Sequence, residues 1–194
     1  MRTMKEDALP LELHWLKQLQ RNDEHALSCL MKLYYSDLYN YAAKFSDDES
    51  LVKDCIQEVF ISLWQRRENA AAILCPRYYL LRAIKNKMLK SLHAKSRNTR
   101  LGEAQDYDFS AEFSIERTII EKQISEEKAE KLRKTLSQLS KRQKEVIYLK
   151  YYQHLDNAQI AELMAISRQS VYNLLHETIQ KLKTVWRTEF IPNV

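Results

Sequence analysis

Residues 157–176, NAQIAELMAISRQSVYNLLH, carry the pattern that decides the fold of the C-terminal part of this chain. Two helices that cross at roughly 90–120° around a tight turn need a small residue where they touch, and Ala161 supplies it. Ala165 stands at the turn, where a positive φ would cost an alanine about 1 kcal/mol. The pattern predicts a helix-turn-helix, with Leu175 packed against the preceding helix and a small core made of Ile160, Met164, Ile166, Val171 and Leu174.

The second helix of this motif has a polar outward face. Its side chains are donors and acceptors of the kind that read base edges in a major groove, namely Arg168, Gln169, Tyr172, Asn173 and His176. Ser167 suits a phosphate contact at the helix N-terminus. Any pair of packed helices shares the apolar pattern. The polar face and the basic neighbours therefore favour DNA binding, those neighbours being Lys141, Arg142, Lys144 and Lys150.

The composition excludes most other fold classes. The 194 residues include one glycine and three prolines, whereas average proteins contain about 7% Gly and 5% Pro. So few turn residues rule against β-sandwiches, barrels and α/β folds with Gly-rich phosphate loops. An all-α fold is therefore predicted. A helix cap is expected at Asn22 or Asp23, an acidic cap at 47–50 and a small-residue loop at 69–76. The predicted helices include 11–20, 51–67, 77–97, 113–139 (one helix or two), 141–152, 156–164 and 168–187.

Charge divides the chain into blocks. Residues 77–101 contain 8 Lys/Arg and no acid, and residues 131–194 contain 11 Lys/Arg against 5 acids. Between them, residues 102–130 contain 9 acids against 3 Lys/Arg. Ordinary solvated faces mix both signs, so two basic blocks indicate two surfaces for a polyanion. Residues 98–112 lack a helical period and predict a flexible acidic linker between two small helical domains, 8–97 and 113–190.

These motifs resemble the sigma-70 family of RNA polymerase sigma factors. The helix-turn-helix and its flanks, residues 136–183, resemble region 4 of that family. Residues 51–67, LVKDCIQEVFISLWQRR, resemble region 2.2 and match its D-L-x-Q-E-x-F core, with Cys55 in place of the leucine. Residues 79–92 resemble the following region 2.3–2.4 helix. Two motif groups in this order, with no room for a third domain, look like the extracytoplasmic-function (ECF) class.

The resemblance implies a transcription initiation factor that binds core RNA polymerase and directs it to specific promoters. In the family, the region 2.2 helix docks on the clamp helices of the polymerase β′ subunit. The corresponding side chains here are Asp54, Gln57, Glu58, Ile61 and Gln65. From the residues alone, an ordinary solvated face has the same composition. Promoter DNA, the polymerase β and β′ subunits and an anti-sigma factor, commonly membrane-tethered, are the partners that the resemblance implies.

In the family, region 2.3–2.4 melts the −10 element and holds flipped bases, and region 4 reads the −35 element. The −10 candidates are Arg77, Tyr78, Tyr79, Arg82, Lys85, Asn86, Lys87 and Lys90, of which Tyr79 suits the core equally well. The loop at 68–76 would form the base pocket. The −35 candidates are Ser167, Arg168, Gln169, Tyr172, Asn173 and His176, with Lys141, Arg142 and Lys144 across phosphates. Arg168 is the foremost base reader because arginine to guanine is the commonest specific contact.

Two other classes of function compete with this interpretation. A helix-turn-helix repressor or activator that never binds polymerase explains residues 131–194, but it leaves 51–67 and 77–97 unexplained. An enzyme is disfavoured because the five histidines show no metal-ligand spacing and the chain has no Gly-rich phosphate loop. We therefore expect no catalytic site, no metal and no cofactor.

Cysteines and hydropathy predict the compartment. Cys29, Cys55 and Cys75 form no C-x-x-C pair and lie among apolar residues, which is typical of buried thiols in a reducing compartment. The longest uncharged apolar stretch is far shorter than the ~20 residues that span a bilayer. The N-terminus lacks the apolar centre of a signal peptide. A cytoplasmic location is expected.

Overall fold

The computed structural model describes residues 11–97, 109 and 126–187, and all regular structure in these ranges is helical. The all-α prediction is confirmed. The chain divides into two compact units, Met1–Tyr107 and Asp108–Val194. The first unit contains α1 Leu11–Gln20, α2 Glu24–Ala42, α3 Glu49–Gln65, a 3₁₀ helix Arg67–Ala72 and α4 Pro76–Arg97. The second contains α5 Glu126–Ser137, α6 Lys141–Ile147, a π-helical turn Tyr148–Tyr152, α7 Asn157–Met164 and α8 Arg168–Arg187.

Side-chain caps fix the starts of the helices in the first unit. The Asp23 carboxylate accepts a hydrogen bond from the backbone N–H of His25 at 2.9 Å, and Asp48 accepts from Leu51 at 3.0 Å. Asn22, just past the end of α1, has a φ of 65°, a conformation that asparagine tolerates well. Each cap contributes about 1 kcal/mol by satisfying a backbone donor that lacks a helical partner. Both acidic caps were predicted, at Asp23 and within residues 47–50.

The core of the first unit lies between α2, α3 and α4, with α1 and the 3₁₀ helix packed against each other at its edge. One apolar stripe from each of the three long helices supplies the core. Its buried members include Leu30, Tyr34, Leu38, Val52, Ile56, Phe60, Leu80, Ile84 and Met88. Their i, i+3/i+4 spacing places them on one face of each helix, and in each helix that face is turned inward.

The prediction of a loop at 69–76 is wrong over its first half. The 3₁₀ helix covers Arg67–Ala72, and Ala70 is buried because its small side chain permits close approach of neighbouring elements. Polar contacts tie the segment to the end of α1: Gln20 donates to the Glu68 carbonyl at 2.7 Å, and Arg67 Nε donates to Asn22 Oδ1 at 2.5 Å. α4 begins at Pro76, a residue that suits the first position of a helix.

Two of the three cysteines also depart from expectation. Cys55 is buried, but Cys29 is only half-buried and Cys75 is exposed. Cys29 lies at the solvent edge of α2, with its sulfur 3.7 Å from His25 Nδ1. Cys75 stands in the short connection that leads from the 3₁₀ helix into α4. The apolar residues beside these two thiols in sequence therefore do not enclose them.

Capping and backbone geometry build the helix-turn-helix in the second unit. Ser140 and Gln143 form a reciprocal capping box at the start of α6, and Asp156 and Gln159 form another at the start of α7. Ala165 ends α7 with φ 53° and ψ 45°, the left-handed conformation predicted for the turn. The turn then leads into α8, which packs against α7, α6 and α5.

The predicted helix at 141–152 changes its hydrogen bonding part-way. After α6, Tyr148–Tyr152 forms a π-helical turn, and the Gln153 N–H bonds the Tyr148 carbonyl at 3.1 Å. The Gln153 side chain also donates to the Tyr148 hydroxyl at 3.1 Å. The rings of Tyr148 and Tyr152 stack 5.5 Å apart, because the wider turn brings them into register. This aromatic cluster stabilises the turn that precedes the helix-turn-helix.

Phe109 is described although its sequence neighbours are not. It lies within the predicted linker 98–112, yet it is buried with its ring 6.1 Å from that of Tyr148. Phe109 therefore contributes to the core of the second unit. The rest of the predicted linker, and residues 113–125 of the predicted helix 113–139, lie outside the described residues.

Candidate nucleic-acid and polymerase interfaces

The outward face of α8 carries the residues predicted to read bases. Arg168, Gln169, Tyr172, Asn173 and His176 are all exposed, as predicted. On the opposite side of the motif, Ile160, Met164, Val171 and Leu175 are buried. Leu174 and Ile166, predicted for the core, are only half-buried. These five exposed residues form a continuous polar strip on α8, and the opposite side of the helix packs against the rest of the motif.

Side chains on this strip interact with each other one helical turn apart. Gln169 Nε2 donates to Asn173 Oδ1 at 2.9 Å. The rings of Tyr172 and His176 stack with centroids 6.4 Å apart and an interplanar angle of 14°. Ser167 Oγ accepts from the Ser170 N–H at 3.0 Å and so caps the helix. These contacts lie within one helix and its cap, so they orient the strip without covering it.

α6 carries basic residues in the same unit as the strip. Lys141 and Arg142 are exposed in the first turn of α6, and Lys144 is half-buried. Lys150 donates to Asn157 Oδ1 at 2.9 Å, which ties the π-helical turn to the start of α7. Lys181 of α8 donates to Gln143 Oε1 of α6 at 3.3 Å. The first turn of α6 therefore places two cations in solvent in the unit that carries the strip.

The side chains predicted to bind polymerase lie on the outward face of α3. Its members are all exposed, namely Asp54, Gln57, Glu58, Ile61 and Gln65. Ile61 is 46% exposed, so the face combines an apolar centre with carboxylates and amides. At the start of α3, Lys53 pairs with Glu49 at 3.0 Å, and that hydrogen bond raises the pKa of Lys53. A mixed face of this kind suits a protein partner.

The N-terminal turn of α4 is held by residues of α2 and α1. Arg77 bonds Asp37 at 2.6 Å, and its guanidinium lies 5.7 Å from the centre of the Tyr34 ring. The Tyr34 hydroxyl donates to Glu12 at 3.2 Å. Burial raises the pKa of Tyr34, and the Glu12 carboxylate raises it further. Three helices therefore converge on the residue that begins the predicted −10 surface.

Two of the predicted −10 residues are placed inward. Lys85 is only 5% exposed, and its amino group lies 5.9 Å from the centre of the Phe45 ring. It shares the buried side of α4 with Leu81 and Met88, and its aliphatic stem lets it lie there. Tyr79 is half-buried and lines an apolar cleft with Leu16, Leu30, Leu63, Ile73, Pro76 and Leu80. The position of Lys85 contradicts a surface role, and that of Tyr79 favours the core alternative.

The other predicted −10 residues are accessible to different degrees. Arg82, Asn86 and Lys90 are exposed, and Tyr78 is half-buried. Lys87 forms a salt bridge with Glu58 of α3. One candidate for DNA and one candidate for polymerase therefore neutralise each other in the free chain. The exposed face of α4 is joined to the exposed face of α3 by this pair.

Leu74 and Tyr151 are exposed apolar side chains that lie outside the predicted site residues. Leu74 is 82% exposed in the connection between the 3₁₀ helix and α4, within the segment predicted as a base pocket. Tyr151 is 52% exposed on the π-helical turn. The signal for Leu74 was its place in a small-residue stretch with no periodic partner. The exposure of Tyr151 was not predicted, because an uninterrupted α-helix was expected at that position.

The described residues contain no group of three His, Cys, Asp or Glu side chains that could hold a metal ion. No helix within the described ranges is long and apolar enough to cross a membrane.

Each of the two units matches a family model of known proteins. The family model for Sigma-70 region 2 matches residues 30–98, and the model for Sigma-70, region 4 matches residues 129–182. No curated protein matches the chain. The chain resembles CnrH, solved in complex with the cytosolic domain of CnrY, at 18% identity and a TM-score of 0.54, covering 93% of this chain and 99% of that one.

A second solved structure has the same fold. It is the sigma factor RpoE in complex with the anti-sigma factor NepR from Bartonella quintana, at 13% identity and a TM-score of 0.52. The match covers 82% of this chain and 95% of the RpoE chain. Both matches therefore extend over most of the two-unit arrangement.

Proposed function

The chain belongs to the sigma-70 family, in its extracytoplasmic-function class, and from this we propose which of its residues contact polymerase and which contact promoter DNA. Members of the family are transcription initiation factors, not enzymes. They bind core RNA polymerase and direct it to promoters. The observation that carries the assignment is the exposed polar strip of α8 within the region 4 match.

The domains follow the family regions. Residues 8–97 form region 2, residues 98–108 link the regions, and region 4 runs from residue 109 to residue 190. The burial of Phe109 against Tyr148 supports extending region 4 backwards to this residue. Region 2 then binds polymerase and the −10 element, and region 4 binds the −35 element.

Region 4 reads the −35 element with α8 in the major groove. Arg168 contacts a guanine, and Gln169, Tyr172, Asn173 and His176 contact neighbouring bases. Ser167 faces a phosphate from the helix N-terminus, where the backbone N–H groups favour an anion. Lys141, Arg142 and Lys144 contact backbone phosphates. The exposure of the α8 side chains and the anchoring of α8 against α6 and α7 support this arrangement.

Region 2 binds the β′ clamp helices through α3. Asp54, Gln57, Glu58, Ile61 and Gln65 form the contact, with Ile61 as its apolar centre. Their common exposure on the face opposite the core stripe supports this assignment. Removing these side chains should weaken polymerase binding without disturbing the packing of the first unit.

Region 2 opens the −10 element with α4. Separating the strands costs about 1.4 kcal/mol per base-pair step, which stacking and cationic contacts offset. Arg82, Asn86, Lys87 and Lys90 supply the surface for the separated strand, and Arg77 and Tyr78 lie at its start. The burial of Lys85 and the place of the half-buried Tyr79 in the apolar cleft support a different role for this pair, which is to hold α4 against the rest of region 2.

An anti-sigma factor is the regulatory partner we propose, and a cytoplasmic location goes with it. The support is that the RpoE neighbour was solved with an anti-sigma factor and shares the fold over 82% of this chain. A helix-turn-helix repressor that never binds polymerase has no support from the first unit. The region 2 match covers residues that such a protein does not need.

Photo-crosslinking in the promoter complex tests the residue assignments. A photoreactive amino acid is placed singly at Ile61, Asn86 and Tyr172, in chain bound to core polymerase and promoter DNA. We expect crosslinks to β′, to the −10 strand and to the −35 duplex, respectively. Ser36, exposed on α2 and outside all three surfaces, is the control position. Crosslinks from Ile61 to DNA, or from Tyr172 to protein alone, would contradict the assignment.

A further inference from the structure

The hydrogen bond between Gln169 and Asn173 points to a base preference. Both residues are exposed and lie in the N-terminal half of α8, the part of a recognition helix that contacts base edges. Gln169 Nε2 donates to Asn173 Oδ1 at 2.9 Å. The inference rests on the proposed function, because it concerns how α8 reads the −35 element.

The bond fixes which groups Gln169 can offer to DNA. A glutamine amide has two N–H donors and one carbonyl acceptor. Asn173 accepts one of the two donors. The proposal assigns to it the N–H that lies anti to Oε1, which leaves the other N–H beside Oε1 as a donor and acceptor pair. Because the same bond restrains rotation of the amide, this pair is presented in one orientation.

Only one base has the complementary pattern in the major groove. Adenine presents the N7 acceptor beside the N6 amino donor, whereas guanine presents two acceptors, N7 and O6. The Oε1 atom of Gln169 would face the O6 of guanine, which repels it. Cytosine offers a single donor, and thymine offers an acceptor and a methyl group. A glutamine amide fixed in this orientation therefore forms two hydrogen bonds with adenine and at most one with any other base.

We propose that Gln169 reads an adenine in the −35 element and that Asn173 is the positioning residue that orients its amide. A bidentate contact discriminates by about 1–3 kcal/mol, or roughly 5- to 150-fold. We therefore expect one −35 position at which adenine exceeds every other base by at least about fivefold.

Run-off transcription by core polymerase with the full chain tests the proposal. The templates carry each of the four bases in turn at every −35 position. Gln169→Ala and Asn173→Ala should both remove the adenine preference at one shared position. Gln169→Ala should keep the preferences elsewhere, and Asn173→Ala should change in addition only the preference at the base that Asn173 itself contacts. Asn173→Asp keeps the accepting oxygen and should retain the adenine preference, although its charge weakens binding overall. Glu177→Ala, on the same helix and outside the candidate set, is the matched control for the preference.

Gln169→Glu provides a readout that a purely structural role would not change. A carboxylate only accepts hydrogen bonds, so the preferred base at that position should change from adenine to cytosine, whose N4 is a donor. An adenine preference that survives in Gln169→Ala, or a loss in Asn173→Ala that is equal for all bases, would overturn the proposal. If the Gln169 proposal fails but Arg168→Ala still changes the base preference at one position, the assignment of α8 to the −35 element stands without that proposal. If no α8 variant changes any base preference, both fail.

Discussion

The two helices that we propose contact DNA, α4 in region 2 and α8 in region 4, hold their polar side chains in different ways. On α8 the contacts run between residues one turn apart, as in the pairs Gln169–Asn173 and Tyr172–His176. On α4 they run to other helices: Arg77 to Asp37 of α2, and Lys87 to Glu58 of α3. The contacts within α8 leave its polar strip exposed. The contacts of α4 pair its cations with acidic side chains of the same unit.

This difference corresponds to the two kinds of DNA that the helices meet. A −35 duplex already displays its base edges, so a preformed strip on α8 can bind it with little rearrangement. The −10 strands must first separate, and cations on α4 have to exchange carboxylates for phosphates as that happens. Because Glu58 also belongs to the proposed polymerase-binding face, we expect polymerase contact at α3 to release Lys87 for DNA.

The largest effect on stability should come from removing a buried side chain of the core against which α8 packs. Ile160 is fully buried, and Ile160→Ala should lower the free energy of unfolding of the second unit by about 2–5 kcal/mol. The preformed strip would then lose its orientation, and −35 base preferences should fall together. Chemical denaturation followed by circular dichroism measures the stability. The exposed neighbour substitution Glu162→Ala should stay within about 0.5 kcal/mol of wild type, and an equal loss there would contradict the argument from burial.

Removing one base reader should have a smaller and more local effect. Arg168→Ala should cost about 1–3 kcal/mol at a single −35 position that carries guanine. Binding to promoters with each base at each position measures this loss. A reduction that is uniform over all sequences would mean that Arg168 contacts only phosphates.

The polymerase-binding face should respond without loss of fold. Asp54→Ala combined with Glu58→Ala should weaken core binding by about tenfold, which corresponds to roughly 1.4 kcal/mol. Both side chains are exposed, so thermal unfolding should change little. Titration of labelled chain with core polymerase measures the affinity. Unchanged affinity would remove α3 from the proposed interface.

Two neighbouring lysines on α4 separate a surface role from a packing role. Lys87→Ala should slow open-complex formation a few-fold, because one cation for the separated strand is lost. Lys85→Met keeps the apolar stem of a buried residue and should leave that rate near the wild-type value. Permanganate footprinting of the melted strand follows both. A stronger effect from Lys85→Met than from Lys87→Ala would reverse the assignment.

The turn of the helix-turn-helix offers a change that should stabilise. Ala165 has φ 53°, and glycine adopts this conformation without the steric cost of a Cβ atom. Ala165→Gly should raise the free energy of unfolding of the second unit by up to about 1 kcal/mol, less the extra entropy of the unfolded glycine. Differential scanning calorimetry measures it. A clear loss of stability would mean that the Ala165 methyl group makes a packing contact that outweighs its strain.

Local patterns in the sequence predicted much of this structure. The bounds of α1, a helix cap at Asn22 or Asp23 and the left-handed Ala165 follow from spacing and from residue types with one strong preference. Exposure of the α8 strip followed from the same periodicity. These features depend on residues only a few positions apart.

The errors occurred where distant residues decide the outcome. The 3₁₀ helix forms where Gln20 and Asn22 reach Glu68 and Arg67, a contact across more than forty positions. Lys85 lies inward because Phe45 and the buried side of α4 accommodate its stem. The burial of Phe109 likewise depends on Tyr148, which is far along the chain. Periodicity within one segment cannot indicate such partners.

The central claim is that this chain joins core RNA polymerase and gives it promoter specificity. The most direct measurement is co-elution of the purified chain with core polymerase, followed by run-off transcription on genomic fragments. The account predicts a stable complex and new, defined start sites that depend on the chain. Failure to bind core, together with tight binding of the chain alone to a palindromic duplex, would contradict it.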